Sequence, residues 1–429
     1  MSDELADQLR PKLVHAVEPL QVAAALESEG LNDKIARDRY GHTDVFSLAE
    51  EVYARLAREA RPPVEPAPRR PRMLAQLSHG LLYGMPGALL PATSALVGAQ
   101  WLMPGLVLTT GAGWILGGCM ARMVYGKPDS AWTVVVYGLV AGAVAALAIG
   151  LLVQGPPALL ALCVVQITFQ LCSGMLLIHH QEALLAVLMG PGVVAGVTYL
   201  VIGTPFAAIV AVVVGTLCIA GVTGAALVLT SRQRAPLAVP RGLLLGLVHS
   251  LLTALFLLQA EARYVVGRPD IAIAGAGLVL GMGVLEFRAH CFETDVRSVI
   301  RQVCYPAEFT RHGHRLLLAG LGICLAVLTV LSAPPLLLVS ITAEGAVMAL
   351  AHVVLGGAYF LAFLLANQGR VVELCLAQGA ALLIHPGLRL VAPVPVLSDT
   401  LLFLAACLLF LCLLLVLMAA RLRDVWAYR

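Results

Sequence analysis

From Met73 onward the chain is a succession of apolar runs parted by short polar joints. The runs fall at approximately 75–97, 102–121, 131–153, 157–178, 183–202, 206–230, 242–260, 271–287, 315–333, 336–366, 371–392 and 400–420. A helix needs about 20 such residues to cross the hydrocarbon core of a bilayer, so the pattern predicts about twelve transmembrane helices. The region before them is patterned differently. Leu20 to Leu26 reads as one helical stretch, and Asn32 can cap a second through Ile35 to Tyr40, closed by Gly41. Thr43 or Asp44 can cap VFSLAEEVYARLAREA, in which Val45, Leu48, Val52 and Leu56 recur at helical spacing.

These patterns divide the chain into a helical domain (1–61), a Pro/Arg-rich linker (62–72), a first six-helix half (73–230), a basic linker (231–241) and a second half (242–429). The halves share small signatures. Gly80-Leu-Leu-Tyr-Gly84 opens the first span and Gly242-Leu-Leu-Leu-Gly246 the seventh, while Gly117-Gly118 to Arg122 and Gly281-Met-Gly283 to Arg288 end the second and eighth. Halves of six spans enter the membrane in the same direction, which implies two parallel repeats with a substrate site between them. The joint at 286–315 stands apart. Phe287, Cys291, Val296, Val299, Ile300 and Val303 form an apolar stripe among Glu293, Asp295, Arg297 and Arg301, predicting an amphipathic helix along the cytoplasmic face, broken at Pro306.

Charge adds orientation. Lys and Arg crowd alternate joints, such as ARMVYGK (121–127), SRQRAPLAVPR (231–241) and RLRDVWAYR (421–429). The joints between are bare except for Arg263, Arg268 and Arg389 near them. Loops rich in Lys and Arg stay in the cytoplasm, so both termini are expected there, in a multi-pass inner or plasma membrane protein. With 60% apolar and 12% charged residues, the composition excludes an ordinary soluble domain. No cleavable signal peptide is expected, because the chain is polar up to its first apolar run. The mildly acidic N-terminal domain lacks a basic stripe or aromatic platform, which argues against nucleic acid. The ten cysteines lie almost all within apolar runs and read as small packing residues.

Candidate chemistry is sparse. There is no GxxxxGK[ST] phosphate loop, no HExxH and no aspartate-rich joint to hold magnesium, so neither an enzyme nor a cofactor or metal is expected. Polar residues within spans are costly and become the functional candidates. His79, His249, Arg263 and Arg389 are candidates for binding an anionic substrate, and Glu344 and Glu261 for coupling to an ion. His352, Glu373, Gln378 and His385 are further polar residues in spans ten and eleven. His79 and His249 lie on spans one and seven, expected to face each other across the two halves, and Glu344 is expected deep within span ten, paired with Arg389 or Arg263.

Two six-span halves, cytoplasmic termini and a basic middle linker resemble the multidrug/oligosaccharidyl-lipid/polysaccharide (MOP) exporter superfamily. The stretch GVLEFRAHCFETDVRSVIRQVCYPAEFTRHGHRLLLAGLGICLAVLTVLSAPPLLL is similar to the eighth-to-ninth span region of its exopolysaccharide-export branch. The end of the chain, from Val339 through Asn367-Gln-Gly-Arg370 to Leu397-Ser-Asp-Thr-Leu401, has that branch's rhythm. The likeness covers roughly 73–429 and departs from the lipid-precursor flippases in a first span without a mid-membrane arginine. It implies a flippase moving a lipid-linked glycan or polysaccharide by alternating access, with membrane lipids as its surroundings. Two alternatives stay open: an assembly subunit whose residues 1–61 recruit a cytoplasmic glycosyltransferase, and a small-molecule or drug antiporter on the same fold. A polar, cation-lined cavity would favour the glycan, and an apolar, aromatic one the drug.

Overall fold

The computed structural model describes residues 18–59, 73–240, 242–264, 268–300, 306–337, 342–389 and 395–423. The linker at 62–72 and Val303 lie outside them, as do the side chains of Leu56, Glu261, Arg263, His385 and Arg389. The chain divides into two compact units, Met1–Arg70 and Pro71–Arg429.

In the first unit α1 (Pro19–Ser28), α2 (Asp33–Tyr40) and α3 (Val45–Glu59) enclose Val22, Leu26, Ala36, Val45, Leu48 and Val52. The caps explain the boundaries. The Asn32 side chain accepts from the Lys34 and Ile35 amides, both at 3.1 Å, and Gly41 ends α2 in the left-handed region at φ 75°. Asp44, rather than Thr43, caps α3: its Oδ1 accepts from the Ser47 amide at 2.8 Å.

The second unit is an all-α, polytopic membrane fold. Among the described residues, ten helices are long and apolar enough to cross a membrane, and two shorter apolar helices, Leu243–Gln259 and Val371–Ile384, bring the number to twelve. We number the spans in chain order: span 1, Met73–Val97; span 2, Ala99–Gly126; span 3, Ala131–Val153; span 4, Pro157–Ile178; span 5, Glu182–Ile202; span 6, Pro205–Thr230. In the second half span 7 is Leu243–Tyr264; span 8, Ala276–Ile300; span 9, Pro306–Leu337; span 10, Ala343–Asn367; span 11, Val371–Arg389; span 12, Val396–Arg421. Span 1 is interrupted by a 3-10 turn at Met85–Leu89. Pro86 and Pro91, which lack an amide hydrogen and crowd the preceding turn, account for it.

Packing within the halves repeats after six spans. Spans 2, 3 and 4 pack on one another, 6 on 4, 5 on 6 and 1 on 5; spans 8, 9 and 10 do the same, with 12 on 10, 11 on 12 and 7 on 11. The halves meet where span 1 packs on span 8 and span 7 on span 2, contacts that exchange into each other when the halves are swapped. This is a parallel two-fold repeat. It refines one expectation about spans 1 and 7: the close packing across the halves pairs span 1 with span 8 and span 7 with span 2. The reason is close backbone approach. A Cβ on Gly80 would lie 2.0 Å from the Leu280 carbonyl oxygen, and one on Gly283 would lie 2.3 Å from that of Gln76. The Gly-Leu-Leu-x-Gly segments are likewise not equivalent. Gly80 is part of this seam, whereas Gly242 precedes span 7 at φ 88° with open space around it.

The segment 286–315 is also not a separate surface helix. Span 8 continues unbroken to Ile300, because no glycine or proline interrupts Glu286 to Ile300, and span 9 begins at Pro306. Ala289, Phe292 and Val296 are buried in the second half's core together with Phe309. The Asn367 amide donates to Glu293 Oε1 at 2.7 Å, fastening this extension to the end of span 10.

Candidate functional site

Consecutive spans joined by short connections place the basic joints at one end of the bundle, called here the basic end. A cavity of about 80 Å³ lies between the halves, lined by Trp114 of span 2, His249 and Thr253 of span 7, Met282 of span 8 and Tyr359, Ala362, Phe363 and Ala366 of span 10. Helical periodicity makes this wall. The four span 10 residues follow at i, i+3, i+4 and i+7, and His249 and Thr253 are one turn apart. Most of the lining is apolar or aromatic, with polar groups on span 7.

Those polar groups are held from behind by Gln378 of span 11, which is fully buried. Gln378 Nε2 donates to Thr253 Oγ1 at 3.0 Å, and Thr253 Oγ1 donates to the His249 carbonyl at 2.9 Å. With the glutamine so oriented, His249 Nδ1 donates to Gln378 Oε1 at 3.2 Å. The network fixes the imidazole and leaves Nε2 for the cavity. Other buried polar atoms in the interfacial spans and span 4 have no partner among the described residues: Gln76 Oε1, Gln170 Oε1, Gln259 Nε2 and Oε1, and Arg288 Nε. An unsatisfied buried group costs about 1–3 kcal/mol, so each of these atoms calls for a water or ligand partner. The Gln170 amide oxygen fills the space where a Cβ on Gly113 of span 2 would stand.

Toward the basic end, two arginines at matching sequence positions of spans 2 and 8 meet different neighbours. Arg122 stands one turn before the end of span 2 and lies against Gly246 of span 7, where a Cβ would be 2.1 Å from its Nε. Arg288 closes the membrane part of span 8, with Nη2 3.7 Å from where a Cβ on Gly320 would stand. Neither has a carboxylate within ion-pair distance among the described residues.

His79 sits at the same end on span 1. Its Nδ1 is 2.7 Å from Glu286 Oε2 of span 8, and its Nε2 is 3.5 Å from Glu182 Oε1 at the start of span 5. The three side chains are 13%, 30% and 11% exposed, respectively. One histidine is therefore held between an acid of its own half and an acid of the other.

The remaining candidates are dispersed. His249 reaches the cavity; the side chains of Arg263, Arg389 and Glu261 lie outside the described residues. Glu344 is not deep in its span. The apolar run at 336–366 is divided: Leu336 and Leu337 finish span 9, Thr342 caps span 10 by accepting from the Gly345 amide at 3.0 Å, and Glu344 falls in the first turn. Its partner is Arg268, at 3.4 Å. Arg268 makes a closer two-pronged contact to Asp270, at 3.0 and 2.7 Å, and holds that carboxyl down at about 2. The Thr342 hydroxyl also donates to Asp270. His352 is buried and bonds its Nδ1 to the Met348 carbonyl of its own helix at 2.9 Å, and Glu373 pairs with Arg370 at 2.7 Å.

Sequence reading passed over Glu182, Trp114, Thr253, Tyr359 and the Arg268–Asp270 pair as site residues. Glu182 and Asp270 looked like ordinary joint residues, and nothing in the linear pattern distinguishes an aromatic that faces a cavity from one that faces lipid. No protein-family model and no curated protein matches the sequence. The fold is similar to that in the crystal structure of MATE in the bent conformation, with a TM-score of 0.42 and 13% identity over 82% of this chain and 94% of that one, a likeness too distant to carry a function across.

Proposed function

We propose that the chain is a transporter that moves an amphiphilic anion, of the lipid-linked glycan class, by alternating access between its two six-span halves. The observation that carries this reading is the contact of spans 2 and 7: an aromatic cavity lined by Trp114 of the first half and residues of the second, with the carboxylate-free Arg122 lying between the same two spans. The Arg122 guanidinium can hold a phosphate oxygen, and Trp114, Tyr359 and Phe363 offer surface to the apolar or sugar part, with Arg288 a second cation on span 8. A cavity of about 80 Å³ holds only a few waters. Cargo therefore requires the halves to part, which the two separate contacts, 1 with 8 and 7 with 2, allow. The basic end faces the cytoplasm on this reading, because Lys and Arg are retained there.

The aromatic lining favours a second reading, antiport of a lipophilic cation or drug. Reconstituted vesicles separate the two. With a fluorescent lipid-linked glycan, Arg122→Gln combined with Arg288→Gln should lower flipping about tenfold, the scale of one lost charge-assisted contact. Unchanged glycan flipping in that double variant, with uptake of an organic cation abolished by Trp114→Ala, would move the assignment to the antiporter.

A further inference from the structure

We infer that His79, Glu182 and Glu286 form a proton-operated clasp that fastens the two halves together at the basic end. The inference rests on the alternating-access reading and adds to it what controls that end.

The clasp continues the glycine seam. His79 precedes Gly80, and Glu286 follows Gly283 by three residues, so both sit where the backbones of spans 1 and 8 come closest. Glu182 and His79 belong to the first half and Glu286 to the second. Opening this end must separate His79 from Glu286 while Glu182 stays with the histidine. No lysine or arginine lies within ion-pair distance of either carboxylate among the described residues.

The charge arithmetic makes the contact depend on a proton. Both ring nitrogens face carboxylate oxygens, at 2.7 and 3.5 Å. A neutral imidazole has one N–H and can donate to only one of them, leaving a lone pair against the other. The imidazolium donates to both and offsets one of the two negative charges. Protonation thus strengthens the link across the halves; its loss leaves two carboxylates with no full cation between them.

The surroundings supply no substitute cation. His180 Nδ1 stands 4.0 Å from Glu182 Oε1 but is largely exposed. Tyr83 of the same span meets the His79 ring edge-on, with centroids 6.3 Å apart, and Tyr125, at the end of span 2, is the other tyrosine near Glu286. Span 4, which also touches span 1, contains no charged residue or histidine. Arg288 on span 8 is directed toward Gly320 of span 9 instead.

The test measures the opening directly, without cargo. Spin labels are placed at the exposed positions Ala183 and His290, on opposite halves beside the clasp, as non-thiol side chains so that the native cysteines remain. Distances are read by pulsed electron resonance on the full chain in lipid nanodiscs between about pH 5 and about pH 8, the range over which imidazole changes charge. The ratio of long to short distances should rise about tenfold with pH, the scale of one charge-assisted hydrogen bond. His79→Gln should give the long distance at both pH values, and His79→Lys, a permanent cation, the short one. Glu286→Gln should abolish the pH dependence with His79 intact, which keeps the test decisive where a His79 variant folds poorly. A pH-independent distance in the unsubstituted chain, or a pH shift that survives in His79→Gln, overturns the clasp. Loss of the transport reading would appear elsewhere, as failure of every cargo in the vesicle assay with the clasp still responding.

Discussion

At the scale of single residues, the two halves are joined by what is missing from a side chain as much as by what is present. Gly80 permits the span 1–span 8 approach because any Cβ would overlap a carbonyl, which cannot swing aside as a flexible side chain can. Gly80→Ala should therefore lower the thermal midpoint in detergent by several degrees, as overpacking of about 1–3 kcal/mol does, whereas Gly117→Ala, with open space around it, should not. At the opposite end, Asp270 and Glu344 share Arg268 unequally. Asp270 is buried, doubly bonded and held ionised to about 2, while Glu344 is partly exposed and more distant. Asp270→Asn should destabilise the protein by a few kcal/mol, because it leaves Arg268 without its main partner. Glu344→Gln should cost less than about 1 kcal/mol and leave transport intact. Transport lost at unchanged stability would restore an ion-coupling role to Glu344.

At the scale of elements, the extension of span 8 is the clearest case of packing deciding what amphipathic patterning leaves open. Its inward stripe includes the fully buried Val296, while Val299 is only partly covered. Val296→Asp should therefore abolish folded expression, and Val299→Asp should be tolerated better. Equal tolerance of both would place the stripe at the membrane surface after all. The N-terminal unit makes a pH prediction. The Ser47 amide donating to Asp44 holds that carboxyl below its usual value. A group with a lowered folded pKa contributes stability above the unfolded value, about 3.9, and loses it as pH falls through the folded one. Residues 1–61 expressed alone should give a helical circular-dichroism spectrum whose acid limb is flattened by Asp44→Asn, which keeps the acceptor and removes the titration. A random-coil spectrum would count against an autonomous unit.

At the scale of the whole molecule, the two-fold repeat and the charge partition make separate statements. On the alternating-access proposal the repeat assigns what moves together: each half carries its own spans 2, 3 and 4 or 8, 9 and 10 as a block, and the 1–8 and 7–2 contacts are the main ones that yield. The charge partition carries the expectation that the basic end is inside. A cysteine at Gln154 or Gly203 should react with an impermeant reagent in intact cells, and one at Gln233 should not. Labelling of Gln233 would invert the orientation while leaving the fold as described.

The approximate positions of the spans outside the span 8–10 region, the caps of α2 and the six-plus-six division were legible in the chain because each follows from local rules: run length against bilayer thickness, cap chemistry, and charge in the joints. The same rules fail where a residue's role depends on a neighbour distant in sequence. Glu182 and Glu286 are remote from His79 along the chain, and nothing in their surroundings there shows that they close on the same imidazole. Glu344 was misplaced because an apolar run does not reveal where one helix stops and the next is capped; Thr342 does, once its hydroxyl is seen to accept from Gly345. Hydropathy fixes which segments cross a membrane, since each segment meets that solvent on its own terms. Which faces of those segments meet one another is decided by shape, through glycines such as Gly80 and Gly283 that let two backbones touch, and that is a property of the assembled bundle alone.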